Sequence, residues 1–144
     1  MRSARGAVLW TVLAVVLMGT GPCGPIPGGQ LDGPVVTAPV ADWSFLGDSF
    51  ACELETRPAD PHSVRATCFQ RDRILYVGSI GAPYKRWPAM VTADPRVRVR
   101  LDGKVYERTA VRVTDAAERT RLLSSDASKP PSDSHWVWRL DPRV

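Results

Sequence analysis

Apolar residues come first in one nearly unbroken block, Ala7 to Met18 (A-V-L-W-T-V-L-A-V-V-L-M), and after that only in short runs divided by proline, glycine and aspartate. Arg2 and Arg5 precede the block and Gly19, Thr20 and Gly21 follow it. Charge, apolar core and small residues in that order are the layout of an export signal. The block's twelve positions, at about 1.5 Å each, fall short of a hydrocarbon layer about 30 Å thick, so residues 1–22 read as a signal rather than a permanent span.

The short runs that follow predict strands. Ser49 to Thr56 and Val64 to Gln70 flank Arg57-Pro58-Ala59-Asp60-Pro61-His62-Ser63, where two prolines and an aspartate favour a turn. A hairpin centred on Asp60 sets Cys52 opposite Cys68, Leu54 opposite Ala66 and Glu55 opposite Arg65. Opposed strand residues lie close enough for a disulfide, and an exported chain meets an oxidising compartment. Two buried, unbonded thiols are the alternative. After a turn at Arg71-Asp72, Arg73 to Ser79 forms a third strand. The loop Ile80 to Pro88 leads into a short helix, Ala89 to Ala93, which Asp94-Pro95 stops.

Arg96 to Leu101 alternates arginine with apolar residues, the period of a strand with one wet face. Asp102-Gly103 is a strong hairpin turn, and Lys104 to Thr114 returns with Val99 opposite Tyr106 and Arg98 opposite Glu107. Val111 and Val113 have the opposite parity to Tyr106, which calls for a bulge between Glu107 and Ala110 if all are to face inward. Asp115-Ala116-Ala117-Glu118 is a capping box that opens a helix through Leu123, with Asp115 placed to pair with Arg119. A polar loop, Ser124 to Ser134, precedes a closing strand, Trp136 to Leu140. The prediction is mainly β: six antiparallel strands and two short helices, closed as a small barrel to hide the sheet edges.

Composition narrows the picture. A chain of 144 residues with 44% apolar content and five tryptophans holds one folded domain and is too hydrophobic to be disordered. Lys and Arg number 19 against 15 Asp and Glu, and loss of Arg2 and Arg5 with the signal leaves a net charge of only +2. Arg96, Arg98, Arg100, Arg108 and Arg112 therefore read as an ordinary solvated face, since no aromatic residues interleave with them as a single-strand platform requires. No nucleic-acid partner is expected. Cys52, Cys68, His62 and His135 lack paired metal-ligand spacing, so no metal site is expected, and neither histidine has a nucleophile beside it in sequence.

Cys23 directly follows the signal and opens Cys23-Gly24-Pro25-Ile26-Pro27-Gly28-Gly29. This order resembles a bacterial lipoprotein signal, which implies lipidation of Cys23 and attachment to the membrane of the cell envelope. Residues 23–42, rich in proline and glycine, then read as an extended tether, and residues 43–144 as the folded domain. Gly81-Ala82-Pro83, Trp87, Ala93-Asp94-Pro95 and Asp115 to Leu122 (D-A-A-E-R-T-R-L) fall in the order seen in flavin-binding split β-barrels. The chain thus resembles the deazaflavin-dependent nitroreductase-like and pyridoxamine-phosphate-oxidase-like groups over about Ala51 to Leu123. The leader, with Ala41-Asp42-Trp43-Ser44-Phe45 and Leu54 to Pro58, is similar to bacterial lipoproteins that carry this barrel.

The resemblance implies a split β-barrel, a possible homodimer with its site at the seam, and FMN or a deazaflavin as cofactor. Arg65, Lys85 and Arg86 are then the candidate cations for a phosphate, and Trp87 the wall beside the ring. The bland alternative makes the cations solvated and Trp87 a core residue. Two segments depart from the pattern: Arg57 to Ser63 where a Gly-Arg turn is usual, and Pro88-Ala89-Met90-Val91 where the family follows its tryptophan with a His-Asn-Leu-like run. The main expectation is therefore an envelope-anchored binding or interaction module, with an FMN- or deazaflavin-dependent oxidoreductase acting on quinone-like or nitro compounds as the alternative.

Overall fold

The computed structural model describes residues 28–144. Residues 1–22, expected to be an export signal, with Cys23 and the first residues of the expected tether, lie outside the described residues. The alternating runs become β1 (Ser49–Thr56), β2 (His62–Arg71), β3 (Ile74–Ser79), β4 (Arg96–Leu101), β5 (Lys104–Arg112) and β6 (Trp136–Pro142), with helices α1 (Arg86–Ala93) and α2 (Ala116–Leu123). All neighbouring strands run antiparallel and close as β1-β2-β3-β6-β5-β4. This is the expected mainly β, six-stranded barrel with two helices. A 3₁₀ turn at Ala82–Tyr84 precedes α1, which begins three residues earlier than Ala89 because Pro88 fits within a first helical turn, where its missing N–H has no intrahelical partner to lose.

Strand parity sorts the side chains. Leu54, Leu75, Val77, Val97, Val99 and Trp138 point inward and are at most 1% exposed. Burial of each such aliphatic side chain is worth about 1.5–3 kcal/mol over leaving it in water. A second apolar cluster lies outside the barrel wall, where Phe69, Tyr76, Val113 and Val137 are covered by Leu122 of α2. The side chain of Asp115 caps that helix by accepting from the Glu118 amide at 2.8 Å. Arg119 turns away from Asp115 and donates to the carbonyls of Ser132 and His135, which ties the loop after α2 back to the helix.

Three sequence expectations are corrected. The first hairpin pairs Cys52 with Ala66 and Phe50 with Cys68, two residues from the expected register, so that Glu53 rather than Glu55 stands opposite Arg65, and Glu53 forms its ion pair with Arg100 of β4 instead. An even shift preserves which side chains face inward. Cys52 and Cys68 are joined diagonally by a disulfide with an S–S distance of 2.02 Å and Cα atoms 5.8 Å apart. The second correction concerns the turn after β2, which consists of Asp72 and Arg73, both at positive φ, because Arg71 already pairs with Ile74. The third is the absence of a bulge in β5, whose register is regular against both neighbours. Val111 stays outward and 39% exposed, while Val113 is buried on the outer face beneath α2. Outward-facing Val113 thus needs no bulge.

The described part of the tether, residues 28–42, is extended but docked. β6 pairs with β5 only from Arg108 onward, which leaves the backbone of Val105 open on that side. Val105 donates to Pro34 at 2.9 Å and accepts from Val36 at 2.8 Å. Gly33 lies where a Cβ would stand 2.6 Å from the Gly103 carbonyl, at φ +136°, so glycine is required there. The Leu31 amide donates to Glu55 at 2.6 Å, and Arg100 donates to the Asp32 carbonyl at 3.0 Å.

The disulfide closes a 16-residue span between two strands already paired. A Cys52→Ala/Cys68→Ala variant is expected to lose about 2–5 kcal/mol of unfolding free energy, measured by urea titration with and without reductant. Equal stability of the reduced and oxidised wild-type protein would show that the bridge contributes nothing.

Candidate functional site

A cleft of about 520 Å³ opens on the outer face of β2 and β3, between α2 and the segment that leads into α1. Its size falls within the roughly 300–1,000 Å³ typical of small-molecule sites. Phe69 and Gly78 face outward from neighbouring strands and line it. The Phe69 ring stacks on Tyr76, with centroids 5.3 Å apart and planes 13° from parallel, so the aromatic wall is fixed from behind. The guanidinium of Arg71 lies 5.7 Å from the Phe69 centroid. A glycine inside a strand marks a place where another group comes close to the backbone. A Cβ on Gly78 would sit 3.6 Å from both Phe69 and the Nε2 of His135, so a side chain there would grow into the cleft.

The remaining lining divides by chemistry. Leu122 and Leu123 of α2 and the buried edge of Trp87 supply apolar surface. Arg65, Arg71 and Lys85 bring cations to its walls. Ser79, only 3% exposed, has a buried hydroxyl without a hydrogen-bond partner among the described residues. A buried donor left unpaired costs about 1–3 kcal/mol, and this one shares the inward parity of Leu75 and Val77 rather than the outer face of Gly78. Burial, followed by the charge of Arg119, holds the His135 imidazole below its ordinary pKa and favours its neutral form.

Of the residues singled out from sequence, Arg65, Lys85 and Trp87 meet in this cleft, and Arg86 does not. Arg86 lines a separate depression with Arg57, Asp60 and Met90. The reason is helical geometry: α1 starts at Arg86, so consecutive side chains point about 100° apart. Trp87 is largely a core residue, packed against Trp138 with centroids 5.0 Å apart, and presents only part of its ring to the cleft.

Apart from exposed Arg96, the arginine series is not a solvated face. Arg96, Arg98 and Arg100 pair with Asp94, Glu55 and Glu53 respectively. Arg108 and Arg112 have inward parity and lie over the rings of Trp43 and Trp136, at 4.8 and 3.4 Å from their centroids. Among the described residues no cluster of three or more His, Cys, Asp or Glu is placed to hold a metal, and no helix is long and apolar enough to cross a membrane.

Residues 62–139, more than half of the chain, match the F420H(2)-dependent quinone reductase family. The chain belongs to that family. The match starts at the first residue of β2 and ends within β6, so it contains β2 to β5 and the first part of β6 but not β1. No curated protein matches the chain. Within this reductase family member, Phe69, Arg71, Gly78, Ser79 and His135 are cleft residues that sequence reasoning missed. Gly78 was legible as a glycine in a strand interior, and Phe69 as an outward position two residues from Thr67. Nothing near His135 in sequence points to the cleft; the loop before β6 brings it over Gly78 of β3.

The lowered pKa of His135 predicts a pH dependence. The unfolded chain takes up a proton near pH 6.5 and the folded chain only at lower pH, so stability is complete above 6.5 and falls as pH drops below it. Thermal melts from pH 7.5 to 5 are expected to show this decline in the wild type and a weaker one in His135→Gln. An NMR titration midpoint for His135 at or above 6.5 would contradict the assignment.

Proposed function

We propose that the chain is an oxidoreductase that binds a reduced deazaflavin in the cleft over Gly78 and passes a hydride to a quinone-like acceptor. One observation supports this reading most directly: in a member of a deazaflavin-dependent quinone reductase family, one cleft gathers an aromatic wall, a missing Cβ and three cations. These features fit a flat heterocycle with an anionic substituent. The family match favours this over the non-catalytic binding module, although the two departing segments, Arg57 to Ser63 and Pro88 to Val91, lie outside the cleft lining.

A bound reduced deazaflavin would supply a hydride and, on oxidation, release one proton, which together with the hydride would convert the quinone to a hydroquinone. The protein's work is binding and orientation. Arg65 and Lys85 hold the anionic substituent by charge-assisted hydrogen bonds. Phe69 and the edge of Trp87 set the ring plane. Leu122 and Leu123 keep water from the ring face.

Gly78→Val is expected to abolish deazaflavin binding while the melting temperature changes by only a few degrees. Arg65→Ala with Lys85→Ala is expected to weaken binding about tenfold or more, since each charged hydrogen bond contributes about 1.5–3 kcal/mol. Both are checked by fluorescence titration of the oxidised deazaflavin, with FMN as the comparison ligand, and by oxidation of the reduced cofactor with menadione. Undiminished binding in Gly78→Val would remove the cleft from the reaction. Failure of the wild type to bind deazaflavin or FMN would return the chain to the binding-module reading.

Attachment to the cell envelope through Cys23 belongs to the same proposal. It rests on the charge, apolar and small-residue order before that cysteine, and it would keep the cleft near lipid-soluble quinones. Exposed Ile80 and Tyr84 beside the cleft support the homodimer that the resemblance implies. Intact-mass analysis of membrane-extracted protein is expected to show a mature chain that starts at acylated Cys23. A free Cys23 thiol in that material would refute the anchor.

A further inference from the structure

A second cavity, of about 400 Å³, lies at the opposite ends of β3 and β6 and shares no residue with the cleft over Gly78. Arg108 lines it. This residue pairs with Val97 and Pro142 across its two strand neighbours and faces inward, in a row that continues to Tyr106 and Ala110. It is only 5% exposed. The Trp43 ring covers one face of the guanidinium at 4.8 Å. Stacking satisfies the face of that planar group, but its donors lie in the plane and point from the edge.

Those edge donors lack partners. Among the described residues Nε is buried without a hydrogen bond, and no carboxylate lies within ion-pair distance of Arg108. The neighbouring acids are engaged elsewhere. Asp141, in the same cavity, is held by Arg139 through two bonds of 2.6 and 2.9 Å. Glu107 is shared by Arg98 and Arg143. Arg73 stands in the lining with its side chain 72% exposed and only a 3.9 Å contact to Asp42. Of the groups at the cavity, Arg73, Arg108 and Arg139 stand against Asp141 in the lining and Asp42 beside it, one positive charge in excess.

Burial pushes the Arg108 pKa down, yet arginine stays protonated at neutral pH, so the cation cannot be discharged. An unpaired buried charge is strongly destabilising, whereas an apolar residue would suit a position flanked by Val97 and Leu140. Retention of an arginine there calls for an anion that enters from solution. The rest of the wall is apolar, from Val40, Trp43, Leu75 and Leu140. We propose that this cavity is a binding site for a small organic carboxylate, whose planar head meets the edge of Arg108 and whose apolar body lies against Trp43 and Leu140. A carboxylate matches the guanidinium fork in two parallel hydrogen bonds. The site is independent of any cofactor bound over Gly78.

Benzoate, benzamide and inorganic phosphate serve as probes, titrated into the purified mature chain by calorimetry. Benzoate is expected to bind saturably and about tenfold or more tighter than uncharged benzamide, the ratio that one charged hydrogen bond gives. Arg108→Met is expected to abolish that preference, and Arg73→Gln, at the exposed rim, to weaken benzoate severalfold. Near-UV circular dichroism checks that Arg108→Met keeps its tertiary packing. Should it not fold, the benzoate to benzamide ratio in the wild type and the Arg73→Gln effect decide the matter. Equal binding of the two probes, benzoate binding unchanged in Arg108→Met, or phosphate binding tighter than benzoate would each overturn the assignment.

Discussion

Three residue pairs between β1 and β4, Glu53 with Arg100, Leu54 with Val99 and Glu55 with Arg98, turn a six-stranded sheet into a barrel. Inside the seam, Leu54 and Val99 are wholly buried. Outside it, Glu53 and Glu55 each hold the arginine directly opposite. Without this short contact, β1 and β4 would be open edges and the inward faces of the strands would have no common interior. The same pairs reach beyond the barrel, because Glu55 and Arg100 also bond the docked segment at Leu31 and Asp32. A charged exchange at the seam thus closes the fold and fastens the approach to it.

Closure also explains why two cavities arise in one small domain. Each strand presents one row of side chains to the interior and one to the outside, and the outer row of β2 and β3 is roofed on one side only, by α2. The uncovered remainder becomes the cleft with Phe69, Gly78 and His135. At the other end of β3 and β6, the interior is capped by Trp43 rather than by a strand or helix, and Arg108 is left beneath it. The first cavity is a gap in an outer layer and the second a gap in the end of the core. They differ accordingly: a mixed wall with several exposed cations in one, an apolar wall around one buried cation in the other.

The disulfide shows how local pattern and register separate. The alternation of the two runs places Cys52 and Cys68 on the same inward face, and any even shift of register keeps them there. Their separation by 16 residues made direct opposition look natural. The observed shift of two residues arises because β2 begins at His62, so the turn tightens to Arg57 through Pro61, with Arg57 at positive φ. The bridge is diagonal as a result, along the shorter diagonal that strand twist provides.

Sequence alone determined the features that repeat every two residues or depend on neighbours a few positions apart. It determined the six strands, the Asp102-Gly103 turn with its register, the Asp115 cap, and the inward faces of β1 to β4, because backbone sterics and side-chain alternation act locally, whereas the second half of β5 was read with the wrong face inward. It brought Arg65, Lys85 and Trp87 forward as a site, since cations and an aromatic residue near a loop were visible one by one. It misplaced Arg86, read the arginines of β4 and β5 as solvated, and passed over His135. Each of those depends on what a distant segment places opposite: a helix that starts one residue after Lys85, acids of β1 across the seam, and the end of β3 beneath the loop before β6. Tertiary structure decided them because charge pairing and cavity walls are set by distance in space, which the closure of the barrel assigns.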